Sequence, residues 1–305
     1  MSPDVQVRAA REGALAVRRP DLGVLVVTGK DRVSWLNGLL TADLLKRPAG
    51  AAVYGLFVAR SGKVMADAMA VVDEEEQRVM LVVPGAGAEA LRAHLDHYLV
   101  MEDAEMAPGT SAFEVWEVHG PLSEAALQAA RAAGASGATA DRTGLGGVVV
   151  LAPADRAGDV ARALGASATV GDDAGWEALR IERAVPRFGL DFDDGTYPQE
   201  ARLEKTAVSF DKGCYLGQEV VCMLELRGHV KRKLAAVVLD SGEPPARGAE
   251  VKDEAGASVG AVTSAAASPT LGKAVALVMV KRAQAEPGNA LVLGGSRGEV
   301  VERPA

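Results

Sequence analysis

The chain has 305 residues, of which 49% are hydrophobic and only 4% aromatic, so its core must consist mainly of alanine, valine and leucine. That length is enough for two or three domains of ordinary size. The formal net charge of −8 argues against direct nucleic-acid binding. With two cysteines, no apolar run long enough to span a membrane and no secretory signal, we expect a cytoplasmic protein.

The first third of the chain alternates short strands with helices. Strands are expected at 23–28, 53–59, 64–72, 79–83 and 102–107, and helices at 33–40 and 89–100. Asp67 lies inside one of these apolar strands, and an acid there is costly to bury without partners, so it faces either solvent or a site. His94 and His97 lie three apart on a helix, but no nearby residue completes a metal site, so we assign them to a solvated face.

The same order of elements recurs in the middle of the chain. Strands are expected at 113–118 and 146–152, and helices at 122–133, 156–164 and from Asp172 or Asp173 onward. Beyond these, short apolar runs spaced by about ten residues and broken by glycine and proline predict a small antiparallel barrel. We therefore expect an α+β fold in which two related α+β units form one body, with domains at 1–110, 111–232 and 233–305.

The most distinctive stretch is K-G-C-Y-L-G-Q-E, residues 212–219, which holds one of the two cysteines. Its glycines, Gly213 and Gly217, allow a sharp turn and a close approach of the backbone to another group. We interpret the stretch as a loop that delivers Cys214 to the start of a short helix, where the helix dipole and Lys212 both favour the thiolate. The alternative is a small buried residue on a tight turn. Cys222 has no motif around it.

This stretch resembles the signature of the YgfZ-type folate-binding proteins, relatives of the glycine-cleavage T-protein that act in iron–sulfur cluster maintenance. The resemblance extends to V-T-G-K-D-R-V-S-W-L-N-G-L-L-T-A-D-L, to W-x-A-L-R-I-E-R-A-V-P-R-F-G-L-D-F and to the C-terminal apolar runs. It implies tetrahydrofolate in a central pocket, and Cys214 as the residue with the distinctive chemistry. The implied partners are iron–sulfur assembly proteins or cluster-containing client enzymes, with an indirect effect on tRNA modification and no classical turnover.

The resemblance also implies which residues contact the folate. Trp176 would stack on the pteridine ring, although it could instead cap the core. Glu200, in P-Q-E-A-R-L, would bind the pterin amide and amino edge, unless it is a structural carboxylate. Arg180 or Arg187 would meet the glutamate tail. The remaining candidates are Tyr215, inside the motif, and Arg227, which begins a basic run that is otherwise an interdomain connector.

The alternative function is a folate-dependent aminomethyl- or methyltransferase, as the T-protein itself is. In that family the strand that corresponds to Asp67 carries two adjacent aspartates, one of which is implicated in aminomethyl transfer. Here the pair is Ala66-Asp67, and Pro84-Gly85 replaces an Asn-Ala pair near the substrate. Asp67 therefore remains a candidate catalytic residue, while both departures count against transfer. A third possibility is a protein-interaction module that keeps only the fold.

Overall fold

A computed structural model describes all 305 residues and contains seven α-helices and sixteen strands. The helices are α1 (Pro3–Glu12), α2 (Arg32–Asn37), α3 (Ala88–Asp96), α4 (Ser123–Ala132), α5 (Ala157–Ser167), α6 (Asp173–Glu182) and α7 (Gln218–Leu226). The strands are β1 (Leu15–Arg18), β2 (Leu22–Thr28), β3 (Val53–Val58), β4 (Val64–Asp73), β5 (Arg78–Pro84), β6 (Glu105–Pro108), β7 (Phe113–His119), β8 (Ser136–Thr139), β9 (Gly147–Pro153), β10 (Thr169–Gly171), β11 (Arg232–Leu239), β12 (Glu250–Asp253), β13 (Ser258–Ser268), β14 (Lys273–Lys281), β15 (Ala290–Leu293) and β16 (Ser296–Val301).

The first sheet has the strand order β3-β4-β5-β2-β6 and is antiparallel throughout. Its outer face carries α2 and α3, whose apolar residues Leu36 and Leu91 join one buried cluster with Leu25 and Leu81. The strand expected at 102–107 is confirmed as an edge strand, because β6 pairs only with β2. Every strand and helix expected in this part of the chain is present. Helices α2 and α3 both end before the expected residue, at Asn37 and Asp96.

The second sheet has the order β10-β1-β7-β9-β8, with α4 and α5 packed on its outer face. Its strand β1 pairs antiparallel with β7 and parallel with β10. The N-terminal segment therefore belongs to the second unit, which corrects the expected boundary that assigned residues 1–110 to the first unit. No local pattern indicates this pairing, because β1 has only four residues and its partners are about a hundred or more residues away.

The inner faces of the two sheets pack against each other. Valines and methionines of the first sheet, such as Val24 and Met80, meet Val115, Val149 and Leu151 of the second in one buried cluster. The result is a stack of helices, sheet, sheet and helices, which is the single body of two α+β units that the sequence predicts. Polar side chains at the ends of these inner strands are thereby brought close together.

The C-terminal segment forms a closed six-stranded antiparallel barrel in the order β11-β14-β13-β12-β15-β16. Valine and alanine fill its interior, as the near absence of aromatic residues requires. Helix α6 connects the barrel to the second unit, since Ile181 packs with Leu234 and Leu277 of the barrel wall. The barrel prediction is confirmed, and its first strand starts at Arg232, one residue before the expected boundary.

Candidate functional site

A cavity of about 600 Å³ opens where the ends of both sheets meet α6, and we call it the Asp67 cavity. Its wall combines residues of the first sheet, of β7, of α6 and of the segment 186–190. The volume lies within the range of sites for small molecules, about 300–1,000 Å³. Its charged lining residues are Arg19, Asp21, Asp67, Glu117, Arg142, Asp173, Glu177 and Arg187.

Asp67 is half-buried in this wall and belongs to a chain of hydrogen bonds. Tyr54 donates its hydroxyl proton to Asp67 Oδ2 at 2.9 Å, and Arg142 donates to the Tyr54 oxygen at 3.2 Å. The Arg142 guanidinium also lies 4.2 Å from the centre of the Tyr54 ring. Burial raises the pKa of Asp67, although the charge of Arg142 opposes the shift. A carboxyl with a raised pKa in the wall of a cavity is a candidate for proton transfer.

The two residues of the Ala66-Asp67 pair lie on opposite faces of the first sheet. Side chains alternate across a strand, so Ala66 points away from the cavity, and it packs in the outer cluster of the first sheet. Only Asp67 of the Ala66-Asp67 pair lines the cavity. The replacement of the first acid by alanine therefore removes no carboxylate from the cavity itself, whereas Pro84 and Gly85 do line it.

Glu117 and Arg19 form a buried ion pair beside Asp67. Arg19 also donates to both oxygens of Asp21, at 3.0 and 2.8 Å. Although burial opposes the shift, the Arg19 charge lowers the pKa of Glu117, and the two carboxylates raise the pKa of Arg19. These groups therefore remain charged and fix a strong local field next to the protonatable Asp67.

Trp176 lies in the wall of the cavity, as expected, but it exposes only 2% of its surface. Its ring stacks on His119 with a centroid distance of 4.4 Å and an interplanar angle of 7°. His119 already covers one face of the indole. Little indole surface is therefore left for the expected stacking of a pterin. The Trp176 Nε1 is buried and has no hydrogen-bond partner within the protein.

Arg187 lines the cavity as expected, but it is bound to three carboxylates. Its guanidinium contacts Asp21 at 3.0 Å, Asp173 at 3.1 Å and Glu177 at 2.6 Å. Five acidic and three basic side chains line the cavity, which is therefore acidic. Such a lining suits a ligand that offers N–H donors better than one that offers carboxylates.

Arg180 and Glu200 are not where the resemblance places them. Arg180 is fully buried and donates to Asp191 Oδ2 at 2.7 Å and to Ser264 at 2.7 Å, so it joins α6 to the barrel. Glu200 accepts from the backbone N–H of Tyr197 at 3.0 Å and from Arg232 at 3.1 Å. Neither lines the cavity. These hydrogen bonds favour the alternative that Glu200 is a structural carboxylate.

Tyr215 and Arg227 also lie outside the Asp67 cavity. Tyr215 packs in an apolar cluster with Leu56, Val64 and Val221, and only 6% of its surface is exposed. Arg227 follows α7 and is exposed. The structure thus separates these two residues from the Asp67 cavity, and folate contact at either position stays a prediction.

Cys214 is exposed on a loop that ends at α7, which confirms the loop-and-helix prediction and excludes the buried alternative. Gly217 has φ +77°, and a Cβ there would lie 2.4 Å from the Ala59 carbonyl oxygen, so only glycine fits. Gly213 has open space around it and meets no such constraint.

Lys212 anchors this loop and does not serve the thiol as expected. Its Nζ donates to the backbone carbonyls of Asn37, Leu40 and Ala42 at 2.6, 2.7 and 2.7 Å. Burial lowers the pKa of Lys212 to about 8, while the nearby Asp43 opposes the shift. All three ammonium protons are directed at carbonyl oxygens at the end of α2 and just after it, so Lys212 is a positioning residue for the loop.

Sequence reasoning did not identify Tyr54, Arg142, Glu117 or Arg19 as parts of the site. Glu117 carried the same signal as Asp67, an acid within an apolar strand. Arg142 follows no periodic pattern, because it lies in the loop between β8 and β9. Across the chain, no group of three His, Cys, Asp or Glu side chains is arranged to hold a metal ion. None of the helices is both long and apolar enough to cross a bilayer.

Comparison with known proteins gives matches along most of the chain. Residues 4–141 match the GCVT N-terminal domain, and residues 232–303 match the glycine cleavage T-protein C-terminal barrel domain. An aminomethyltransferase of Thermotoga petrophila is 28% identical over 97% of this chain and 86% of its own length. An aminomethyltransferase of Halothermothrix orenii is 33% identical, over 42% of this chain and 36% of its own.

The closed barrel and the paired sheets also occur together in a solved structure. The glycine cleavage system aminomethyltransferase T from Bartonella henselae superposes with a TM-score of 0.86, over 99% of this chain and 89% of its own. At 20% identity this likeness concerns the fold. The two-unit body with a C-terminal barrel is therefore the T-protein-like fold.

Proposed function

Because the chain belongs to the glycine cleavage T-protein superfamily, we propose that it binds a tetrahydrofolate in the Asp67 cavity and performs folate-dependent one-carbon chemistry of the aminomethyltransferase type. The observation that carries the proposal is the half-buried Asp67, whose pKa is raised, in the wall of a cavity of about 600 Å³. An isolated acid of this kind in a cleft is a common mark of a functional site.

The residues of the cavity fit a reduced folate. The pterin ring presents amide and amino N–H donors, and Asp21, Glu117 and Glu177 supply carboxylate acceptors in the wall. The unpartnered Trp176 Nε1 supplies a donor for a ring oxygen or nitrogen. Arg187 is the residue expected to contact the glutamate tail that also lines the cavity. It already pairs with three carboxylates, so it would have to release one of them to bind the tail.

Tetrahydrofolate supplies the nitrogen atoms that accept the one-carbon unit. Asp67 is the residue placed to hold or accept a proton, since Oδ2 is already fixed by the Tyr54 hydroxyl and Oδ1 has no other side chain bonded to it. Burial also raises the pKa of Tyr54 well above its ordinary value, so Tyr54 remains a donor at neutral pH. The Arg142–Tyr54–Asp67 chain thus fixes the orientation of the acid.

Calorimetric titration with tetrahydrofolate, followed by a one-carbon transfer assay with an aminomethyl donor, tests this proposal. We expect Asp67→Asn to lower the transfer rate about 10²- to 10⁴-fold, the usual contribution of a general acid or base, while folate binding changes much less. Asp155→Asn, at an exposed position, is the control. Absence of folate binding in the wild type, or an unchanged rate in Asp67→Asn, would refute the assignment.

We propose iron–sulfur cluster maintenance as a second candidate function, because of the exposed Cys214. A thiol displayed on an anchored loop is available to a partner, and aminomethyl transfer in the Asp67 cavity gives it no role. A single thiolate cannot hold a cluster, which usually needs about four ligands, so transient contact with a client protein is the relevant chemistry.

A strain that lacks the protein distinguishes the two candidates. If Cys214 acts on clusters, Cys214→Ala fails to restore a cluster-dependent enzyme, whereas Cys222→Ala restores it. Full restoration by Cys214→Ala, together with measurable transfer by the wild type, would leave the transferase as the sole function. Folate binding without transfer would favour the second candidate.

A further inference from the structure

A second cavity, of about 590 Å³, lies between the end of α6, the segment 202–206 and the barrel, and we call it the Glu204 cavity. It shares no lining residue with the Asp67 cavity. Its charged residues are Arg183, Arg202, Lys205, Lys233 and Arg303, against Glu204, Glu286 and Glu302. The lining thus has a surplus of two positive charges in a chain whose net charge is −8.

The carboxylates of this cavity neutralise only part of its positive charge. Arg202 pairs with Glu302 at 2.7 Å, and Lys233 pairs with Glu204 at 3.4 Å. Lys205 and Arg303 line the same cavity and make no ion pair with any carboxylate of the chain. Two cations that converge without a partner are the usual environment of a bound anion.

Two arginines of the cavity also approach each other at Gly144. A Cβ built on Gly144 would lie 3.0 Å from Arg303 Nη1 and 3.2 Å from Arg183 Nη2. Burial lowers the pKa of Arg183, the charges of Arg303 and Arg11 lower it further, and Asp141 and Glu182 oppose the shift. An anion between these groups would offset the repulsion.

The acidic side of the cavity has an unused acceptor. Glu204 is only 8% exposed, and its Oε1 bonds Lys233, but its buried Oε2 has no hydrogen-bond partner. Leaving such an atom unpaired is costly, so a hydroxyl or N–H group is expected to reach it. The backbone carries strain at the same place, since Ala184 (φ +53°) and Arg202 (φ +59°) are two of the three non-glycine residues in the left-handed region.

We propose that the Glu204 cavity binds a small phosphate monoester that carries a hydroxyl group. The phosphate would lie against Lys205, Arg303 and Nη2 of Arg183, whose Nε and Nη1 already donate to the Thr143 and Ala305 backbone oxygens. The hydroxyl would donate to Glu204 Oε2. A phosphate monoester carries about −1.5 to −2 charges at pH 7, which matches the surplus, and guanidinium groups bind phosphate in a bidentate manner. A monocarboxylate would neutralise only half of the surplus.

Calorimetric titration of the full chain with glycerol 3-phosphate, methyl phosphate and glutamate tests this site. We expect saturable binding of glycerol 3-phosphate at one site, and about three- to tenfold weaker binding of methyl phosphate, which has no hydroxyl for Glu204. Arg303→Gln is expected to weaken glycerol 3-phosphate binding about tenfold or more, and Lys205→Gln to weaken it less.

Arg162→Gln, at an exposed arginine of α5, is the matched control and keeps wild-type affinity. Lys205 and Arg303 are both exposed, so their variants retain the fold, which circular dichroism verifies. The proposal is overturned if glycerol 3-phosphate does not bind, if glutamate binds as tightly, or if both cavity variants bind as the wild type does. No folate is present in the titration, so its result is independent of the Asp67 cavity.

Discussion

His119 is a buried residue whose two ring nitrogens both lack hydrogen-bond partners while its ring lies flat on Trp176. Burial lowers the pKa of His119 from 6.5 to about 4, and the neighbouring Glu117 offsets this only in part. Between these two values the unfolded chain binds a proton that the folded chain does not. The free energy of unfolding is therefore not reduced by this residue above about pH 6.5, and it decreases as the pH falls toward about 4.

We expect His119→Phe to remove this pH dependence, because phenylalanine keeps the flat contact with Trp176 and breaks no hydrogen bond. Between pH 6.5 and 4 the wild type should lose about 3 kcal/mol more of its free energy of unfolding than the variant does. Urea unfolding at a series of pH values measures the difference. His97→Phe, at an exposed histidine, should follow the wild type, and parallel curves for His119→Phe would contradict the prediction.

The sequence predicted some site residues and not others for a physical reason. Asp67 was found because a carboxylate is costly within an apolar strand, whichever residues surround it. Tyr54 and Arg142 were not found, because their role depends on a contact across 88 residues that no local pattern encodes. Arg180 lies outside the Asp67 cavity because its partner, Asp191, holds it inside the protein, and no local pattern indicates that partner.

At the scale of elements, the loop before α7 is held in place by the hydrogen bonds of a lysine side chain rather than by those of a helix or strand. Lys212 binds three carbonyls at the end of α2 and just after it, and the backbone N–H of Leu216 donates to Gly38 O at 3.1 Å. These bonds hold the loop against the first unit although it contains no strand or helix of its own.

Lys212→Met should leave those carbonyls without a donor and cost about 2–4 kcal/mol of the free energy of unfolding. We also expect faster amide hydrogen exchange at Leu216, because the loop loses its anchor. Lys273→Met, at an exposed lysine of the barrel, should change stability by less than about 0.5 kcal/mol. Unchanged exchange at Leu216 in Lys212→Met would show that the loop is held by other contacts.

Element prediction succeeded where apolar runs are long and failed where strands are short. The strands of the first sheet and the barrel follow from alternating or continuous apolar runs bounded by glycine and proline. Strands β1, β8 and β10 have four residues or fewer, and their pairing is decided by the neighbouring strands. The helix α1 was also not predicted, although Pro3 at its first position and Asp4 in its first turn are typical of a helix start.

At the scale of the whole molecule, one buried carboxylate joins the second unit to the barrel. Asp191 is fully buried and accepts from Arg180 at 2.7 Å, from Thr263 at 2.6 Å and from Ser264 at 2.7 Å. The two hydroxyls belong to β13, so a single side chain connects α6 with the barrel wall. Its loss would leave the Arg180 charge buried without this partner.

Asp191→Ala is therefore expected to lower the free energy of unfolding by about 3–5 kcal/mol, the usual cost of removing one partner of a buried ion pair. The barrel should also exchange its amide hydrogens faster, because its attachment to α6 is weakened. Asp194→Ala, three residues away and exposed, is the matched control and should be near neutral. A loss of less than about 1 kcal/mol in Asp191→Ala would show that Glu177 alone compensates Arg180.

The backbone between Arg183 and Leu190 forms part of both cavities. Arg183 and Ala184 line the Glu204 cavity, Pro186 to Leu190 line the Asp67 cavity, and the Pro186 carbonyl accepts from Arg142 at 3.1 Å. A ligand that moves Pro186 would therefore also move the acceptor of Arg142, and with it the Arg142–Tyr54–Asp67 chain. Coupling between two binding sites is mutual by thermodynamic necessity. A folate that changed the phosphate affinity of the Glu204 cavity through this segment would have its own affinity changed by the phosphate, by the same factor.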